Sequence, residues 1–367
     1  MNIQGKNLSF SFDDDDKLGE GTFGITYKAK GSDGQTYAIK QYKGGIQAKA
    51  ERDFEEKVLK DILQYICPNH TPCFVDSFQD NDIMYVAMDY LDAVPVSDIV
   101  DGPQYLSYRH LHGEKFVKDL VLGLSAIHSS GLIHQDIKGP NLMYDTSTNQ
   151  VKYIDFGHSC LLNTGTNTQG LSVFGFKFLS NKGNYCGSPG TISTSPPEMV
   201  MYDGSEMLFQ RGMGFNLPRP DNGIYTEKYL VAHDIWSIAC QIMDWYDVDG
   251  MGSHLFRSYA ADFVNLPHYF TQEKWDNFRN INENSYKIVA GLMSRDVDKR
   301  IDNFNDIVGW YNSWVQSLPE YPNEWNQYDI TQQVKEQLYK FRCELKRAPE
   351  MRGYQWDTFG VDPRKCL

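Results

Sequence analysis

Three groups of residues have types and spacings suited to handling phosphate. The first lies in 18–28 (LGEGTFGITYK), where Gly19, Gly21 and Gly24 are spaced G-x-G-x-x-G. Glycines let backbone amides approach an anion without a side-chain clash. Alone the pattern is weak, since such spacings arise in any turn. A dinucleotide site would want a helix straight after the glycines. Here Ile25, Thr26 and Tyr27 are strand formers, so the expectation is a hairpin lying over phosphates. The second group is Ala38-Ile39-Lys40 on the next strand. A lysine in an apolar strand is normally an edge residue, and it gains meaning only with an anionic partner. The following helix offers Glu51, Glu55 and Glu56. Glu55 precedes Val58, Leu59 and Ile62 at spacings that turn it inward. The expected pair is Lys40–Glu55, aiming the lysine at the α- and β-phosphates of ATP, with Glu56 as the alternative.

The third group is 133–142 (IHQDIKGPNL) followed by 153–157 (YIDFG). Any one Asp or Asn here reads as a turn former. Together, Asp136, Asn141 five positions later and Asp155 after an apolar strand supply one base and two Mg²⁺ ligands. Magnesium prefers hard oxygen donors and keeps substrate phosphates among its ligands. Phosphoryl transfer needs chiefly positioning and charge neutralisation, which this set provides.

With these motifs the chain resembles the eukaryotic-type protein kinases of the serine/threonine class. The resemblance implies an α+β, bilobal fold: a small β-rich N-lobe with one main helix, a larger mostly helical C-lobe, and ATP between them. Asp136 would take or orient the proton of the substrate hydroxyl, and Lys138 would contact the γ-phosphate. Asn141 and Asp155 would hold Mg²⁺, with Mn²⁺ as a substitute. Met88, Asp89 and Leu91 match the gatekeeper and hinge beside adenine. Leu18, Thr26 and Ala38 join Gly19, Gly21, Gly24 and Lys40 in the nucleotide set. Further marks are Ser195-Pro196-Pro197-Glu198, closing the activation segment, and Asp234-Ile235-Trp236-Ser237 on a buried anchor helix. Arg300 in Asp298-Lys299-Arg300 would pair with Glu198. Serine/threonine preference rests on Lys138 and on Thr191, seven residues before Glu198, with Ser188 a competing alignment.

The sequence departs from the family pattern at three places. Gln135 stands where most members carry an arginine that binds an activation-loop phosphate. Glutamine cannot form that charge-assisted pair, so activity independent of such phosphorylation is expected. Thr26 replaces a valine above adenine, and Ala239 a common glycine. Two other function classes fit the sequence less well. A pseudokinase scaffold or ATP-binding regulatory module is disfavoured because Lys40, Asp136, Asn141 and Asp155 are all present. A small-molecule phosphotransferase is disfavoured by Lys138 and the Pro-Glu and Asp-x-Trp-Ser marks.

The elements that must position these residues follow from periodicity. Runs at 36–41 and 83–91 read as buried strands, and 48–64 reads as a helix between them. Helices are expected at 114–129, 232–245 and 304–316. The expected division is a lead at 1–7, an N-lobe at 8–91 and a C-lobe at 92–316. The C-lobe would include a long activation segment at 155–198 and an insertion near 202–225. An aromatic extension at 317–367, with a helix-like stretch at 330–346, is expected to pack on the C-lobe.

Composition bounds the rest. A net charge of −13 over 367 residues argues against broad nucleic-acid or anionic-membrane binding. No apolar run approaches membrane-spanning length, and neither a signal peptide nor a lipid anchor is expected. Seven scattered cysteines read as reduced thiols of a cytoplasmic or nuclear protein. Cys67, His70 and Cys73 invite a zinc reading, but a fourth ligand is missing nearby and a loop is expected instead. The expected partners are ATP and a protein bearing Ser or Thr, with no nucleic acid or membrane, and the chain is expected to be a monomer.

Overall fold

Period-two alternation along β4 (Gly24–Gly31), β5 (Thr36–Tyr42) and β7 (Ile83–Asp89) gives the central sheet two chemically different faces. Strand register places Tyr27, Ile39 and Ala87 side by side. With Ile3, Phe10, Phe12, Ala29, Phe78 and Tyr85 they form one buried apolar cluster. The neighbouring positions, pointing the other way, align Thr26 with Lys40 and Val86, and Lys28 with Ala38 and Met88. Thr26, Ala38, Lys40 and Met88, all expected to meet a nucleotide, therefore share the face opposite the core.

The computed structural model describes residues 1–21, 24–161, 194, 196, 227–248, 272–313 and 316–323. The chain divides into two units: 1–96 with 125–134 and 140–188, and 97–124 with 135–139 and 189–367. The first unit is built on a seven-stranded sheet, ordered β1 (Asn2–Gln4), β2 (Ser9–Ser11), β4, β5, β7, β6 (Phe74–Asp80), with β3 (Lys17–Glu20) paired to β4. Helix α1 (Ile46–Lys57) follows β5. Its expected continuation to residue 64 is not regular: a π-helical turn, Val58–Ile62, and a 3₁₀ turn, Leu63–Tyr65, finish it. Val58, Leu59 and Leu63 are buried, so the widened turn keeps three apolar side chains inward.

Three small pairings in the same unit carry chemistry-bearing loops. Strand β8 (Val94–Pro95) pairs with β10 (Leu142–Asp145), which forms a hairpin with β11 (Gln150–Tyr153). Strand β9 (Leu132–Ile133) pairs with β12 (Cys160–Leu161), setting Ile133 opposite Cys160. That pairing draws the segment after Asp155 alongside the approach to His134.

Among its described residues the second unit is helical. It takes the short α2 (Val96–Val100) from Ser97 onward, and α3 (Leu106–Ser129) up to Leu124; α3 begins eight residues before the expected 114. The reason lies in Arg109. Its guanidinium donates to the carbonyls of Asp244 (2.9 Å) and Trp245 (3.0 Å), and the Trp245 indole N–H donates back to the Arg109 carbonyl (2.7 Å). Phe116 stacks on Trp245 at 3.9 Å. Tertiary contacts thus extend a helix beyond its apolar period, while Arg109 satisfies terminal carbonyls of α4 (Glu227–Tyr246). Helix α4 is buried on every side from Ala232 to Tyr246, as expected for a central element. Helices α5 (Gln272–Ile281), α6 (Glu283–Leu292) and α7 (Val297–Asn312) complete the described part. Asn282 caps α6, and Asp296 caps α7 by accepting from the amides of Asp298 and Lys299. The cap explains why α7 starts before the expected 304. Among the described residues no helix is long and apolar enough to cross a membrane.

Candidate active site

The first unit carries a lysine held between two carboxylates. Lys40 Nζ lies 2.6 Å from Glu55 Oε2 and 3.5 Å from Asp155 Oδ1. Glu55 is only 2% exposed, and a buried carboxylate persists as an ion only when paired and hydrogen-bonded. Glu56, left open as an alternative by spacing, goes elsewhere. It accepts from Arg52 (3.2 Å) and from the Ser77 hydroxyl (2.8 Å). The Tyr42 hydroxyl donates to the same Glu55 oxygen that meets Lys40.

Asp155 has a left-handed backbone, φ 60°, which Asp tolerates better than most residues. Its side chain is 44% exposed. Desolvation works to raise its carboxyl, but Lys40 first, then His134, His158 and the Gly157 amide, hold it below the usual range. Asn141 ends a 3₁₀ turn, Gly139–Asn141, and is largely buried. Its carbonyl accepts the Ile154 N–H at 3.0 Å, which ties it to the residue preceding Asp155. An ionised carboxylate and a side-chain amide oxygen are hard donors, few in number. That set fits Mg²⁺, which fills its remaining positions with water and phosphate. Among the described residues no group of three or more His, Cys, Asp or Glu could form an all-protein metal cage.

The glycine-rich turn joins β3 to β4, and the Gly21 N–H donates to the Gly24 carbonyl at 2.9 Å. The glycines differ in what they permit. A Cβ on Gly24 would lie 2.5 Å from the Gln41 carbonyl oxygen, so close strand packing requires glycine there. Gly19 and Gly21 face open space, as a backbone that admits a ligand must. Lys43 bonds the Gly21 carbonyl (3.1 Å) and Glu20 (2.9 Å), and Lys17 bonds Glu20 (2.8 Å). The bonds from Lys17 and Lys43 hold the Glu20 carboxyl down to about 2. Thr22 and Phe23 lie outside the described residues. Leu18 is half exposed, while Thr26, Ala38, Met88, Asp89 and Leu91 are partly buried. The Asp89 N–H donates to the Cys73 carbonyl (3.0 Å), and the Asp89 carboxylate accepts the Cys73 N–H (3.3 Å).

The second unit holds Asp136, 2% exposed, with Lys138 Nζ at 2.9 Å from its carboxylate. Gln135 is wholly buried with φ 64°. Its N–H donates to Asp234 Oδ1 at 2.8 Å, so the anchor helix α4 fixes the backbone beside Asp136. Farther along α4, the Ser237 hydroxyl bonds the carbonyls of His233 and Thr194. Arg300 is fully buried. It donates to the Ser294 carbonyl through Nε (3.0 Å) and Nη2 (2.9 Å), reaches the Ala232 carbonyl (3.3 Å), and lies 5.0 Å over the Trp236 ring. Its expected partner Glu198 lies outside the described residues, as do Ser188, Thr191, the insertion near 202–225 and the tail helix at 330–346.

One expectation needs correction. Cys67 and Cys73 are joined in a disulfide, with Cα atoms 5.2 Å apart, and Cys160 is also disulfide-bonded. Three of the seven cysteines are therefore not free thiols, and Cys67 and Cys73 are not zinc ligands. The loop between α1 and β6 brings the two sulfurs together, which sequence spacing alone does not reveal.

A family model for the protein kinase domain matches residues 12–206, more than half of the chain. The chain belongs to the protein kinase family, with its α+β fold. Among similar curated proteins is a probable protein kinase of Dictyostelium discoideum, 31% identical over 41% of this chain and 20% of its own length. NUAK family SNF1-like kinase 2 of Rattus norvegicus is 28% identical over 53% of this chain and 28% of that protein. Serine/threonine-protein kinase sid1 of Schizosaccharomyces pombe is 28% identical over 40% of this chain and 30% of that protein. The matches thus span less than a third of each of these relatives.

Proposed function

We propose that the chain is an active, ATP-dependent serine/threonine protein kinase. The observation that carries the reading is Lys40 gripped by buried Glu55 and shared with Asp155. A lysine so placed has its ammonium fixed for the α- and β-phosphates. The glycine turn would cover the phosphates, with adenine beside Met88, Asp89 and Leu91 and packed near Leu18, Thr26 and Ala38. Asn141 and Asp155 would hold Mg²⁺, which when bound neutralises phosphate charge. Asp136 would receive the proton as a Ser or Thr oxygen attacks the γ-phosphorus and the bond to ADP breaks. Lys138 would meet the γ-phosphoryl oxygens, and Thr191 would bridge Asp136 and Lys138. The serine/threonine class draws support from Lys138 and from the relative named as a serine/threonine-protein kinase. The protein would act as a monomer on protein substrates. A cytoplasmic or nuclear location loses the support it drew from free thiols at Cys67, Cys73 and Cys160.

The test is transfer of radiolabelled γ-phosphate from Mg·ATP to a generic basic protein and to the chain itself, with Asp155→Ala as control. Phosphoserine or phosphothreonine appearing only with the parent protein supports the reading. Tight ATP binding without transfer would overturn it in favour of a scaffold.

A further inference from the structure

Lys40 and Tyr42 stand two residues apart on β5, so their side chains leave the same face of the sheet. Both reach one atom: Glu55 Oε2 meets Lys40 Nζ at 2.6 Å and accepts the Tyr42 hydroxyl. Tyr42 is 2% exposed, and its ring also lies 5.4 Å from the Lys40 ammonium. None of the motifs that mark the family includes this tyrosine.

We propose that Tyr42 is a positioning residue for nucleotide binding, its hydroxyl holding the Glu55 carboxylate in the orientation that grips Lys40. The physical need is plain. A carboxylate this deeply buried has more lone pairs than one ammonium can satisfy, and Lys40 is drawn toward Asp155 as well. A second donor on the same oxygen fixes the Glu55 side chain from the β5 side. Glu55 then keeps its orientation when Lys40 shifts toward a phosphate. Tyr42 itself touches neither nucleotide nor substrate in this scheme; it acts through Glu55. The inference rests on the nucleotide role proposed for Lys40.

The experiment is a double-mutant cycle of Tyr42→Phe and Glu55→Gln, read by titration with a fluorescent ATP analogue in Mg²⁺ and by steady-state transfer. Tyr42→Phe keeps the ring and its packing, and should weaken analogue binding about fivefold and kcat/KM for ATP about tenfold, roughly 1.4 kcal/mol. Added to Glu55→Gln, it should cost less than twofold more, because the acceptor it serves has lost its charge. A purely structural role would lower the melting temperature and leave the cycle additive. Binding within twofold of the parent for Tyr42→Phe, or an additive cycle, overturns the proposal. If Tyr42→Phe does not fold, a fluorinated tyrosine at 42, a stronger donor of nearly the same size, replaces it. Analogue binding tighter by twofold or more is then expected, and unchanged or weaker binding overturns the proposal. Parent protein that binds the analogue but transfers no phosphate refutes the enzyme reading and leaves the binding cycle decisive. Parent protein that binds no nucleotide refutes both.

Discussion

Replacing Glu55 with glutamine removes one charge and almost no volume from the pair that holds Lys40. The lost interaction is a charge-assisted bond, Lys40 Nζ to Glu55 Oε2 at 2.6 Å, inside a site where Glu55 is 2% exposed. Hydrogen bonds to charged groups contribute about 1.5–3 kcal/mol. Lys40 retains Asp155, now 3.5 Å away, and would close on it, which recovers part of the energy but turns the ammonium off the phosphates. Taking ~2 kcal/mol as the transition-state loss gives a fall of about 30-fold in kcat/KM for ATP. The assay is initial-rate phosphate transfer at subsaturating Mg·ATP, with circular dichroism to confirm that the variant is folded. Glu56→Gln is the matched control. It loses bonds to Arg52 and Ser77 but none to Lys40, so its rate should stay within about threefold. A folded Glu55→Gln protein within threefold of the parent would refute the reasoning, as would an equal fall in Glu56→Gln.

Asp136→Asn should lower turnover by ~10²–10⁴, the usual cost of a lost general base, while Mg·ATP affinity by calorimetry changes little. Arg300→Lys cannot reproduce the forked bonds to Ser294 and Ala232 or the contact with Trp236. It should cost ~2–3 kcal/mol and lower the melting temperature by about 5–10 °C. Burial works against ionised Asp145, but hydroxyls and amides of Ser147 and Thr148 hold its carboxyl down to about 2. A depressed carboxyl stabilises above its unfolded value, about 3.8, and the gain is lost as pH falls toward 2. Asp145→Asn should therefore destabilise by ~1 kcal/mol at pH 7, and melting curves should show the difference shrinking by pH 3. Phosphatase treatment should change activity by less than about tenfold, or ~1.4 kcal/mol, because Gln135 offers no cation to a phosphorylated loop; a larger change would count against this role of Gln135.

Local spacing made much of this legible, for reasons that differ by residue. Lys40 stands out because an ammonium inside Ala38-Ile39-Lys40 breaks an apolar strand, and strand alternation then fixes which face it shares with Thr26. Glu55 and Glu56 are harder to tell apart, since adjacent helix positions differ by about 100° and either flanks the apolar stripe. Contacts decide the matter: Arg52 and Ser77 take Glu56, and Tyr42 helps take Glu55. Tyr42 carried a readable signal, two residues after Lys40 on the same strand, but an aromatic at that position reads equally well as core. The early start of α3 depends on Arg109 meeting Trp245, 136 positions away, and no local pattern encodes such a partner. The joining of Cys67 to Cys73 likewise depends on how the chain turns between α1 and β6.

That turn has a consequence for how the site is prepared. The short covalent ring of residues 67–73 is fastened at two points, Cys73 to Asp89 and the His70 carbonyl to the Tyr153 N–H at 2.8 Å. One attachment lies at the end of β7 and the other two residues before Asp155. The ring therefore behaves as a buckle, fixing the span between the end of β7 and the strand that leads to Asp155, the proposed Mg²⁺ ligand. Under the proposed function, segments already fixed would lose little freedom when a nucleotide arrives, so more of the contact energy would appear as affinity.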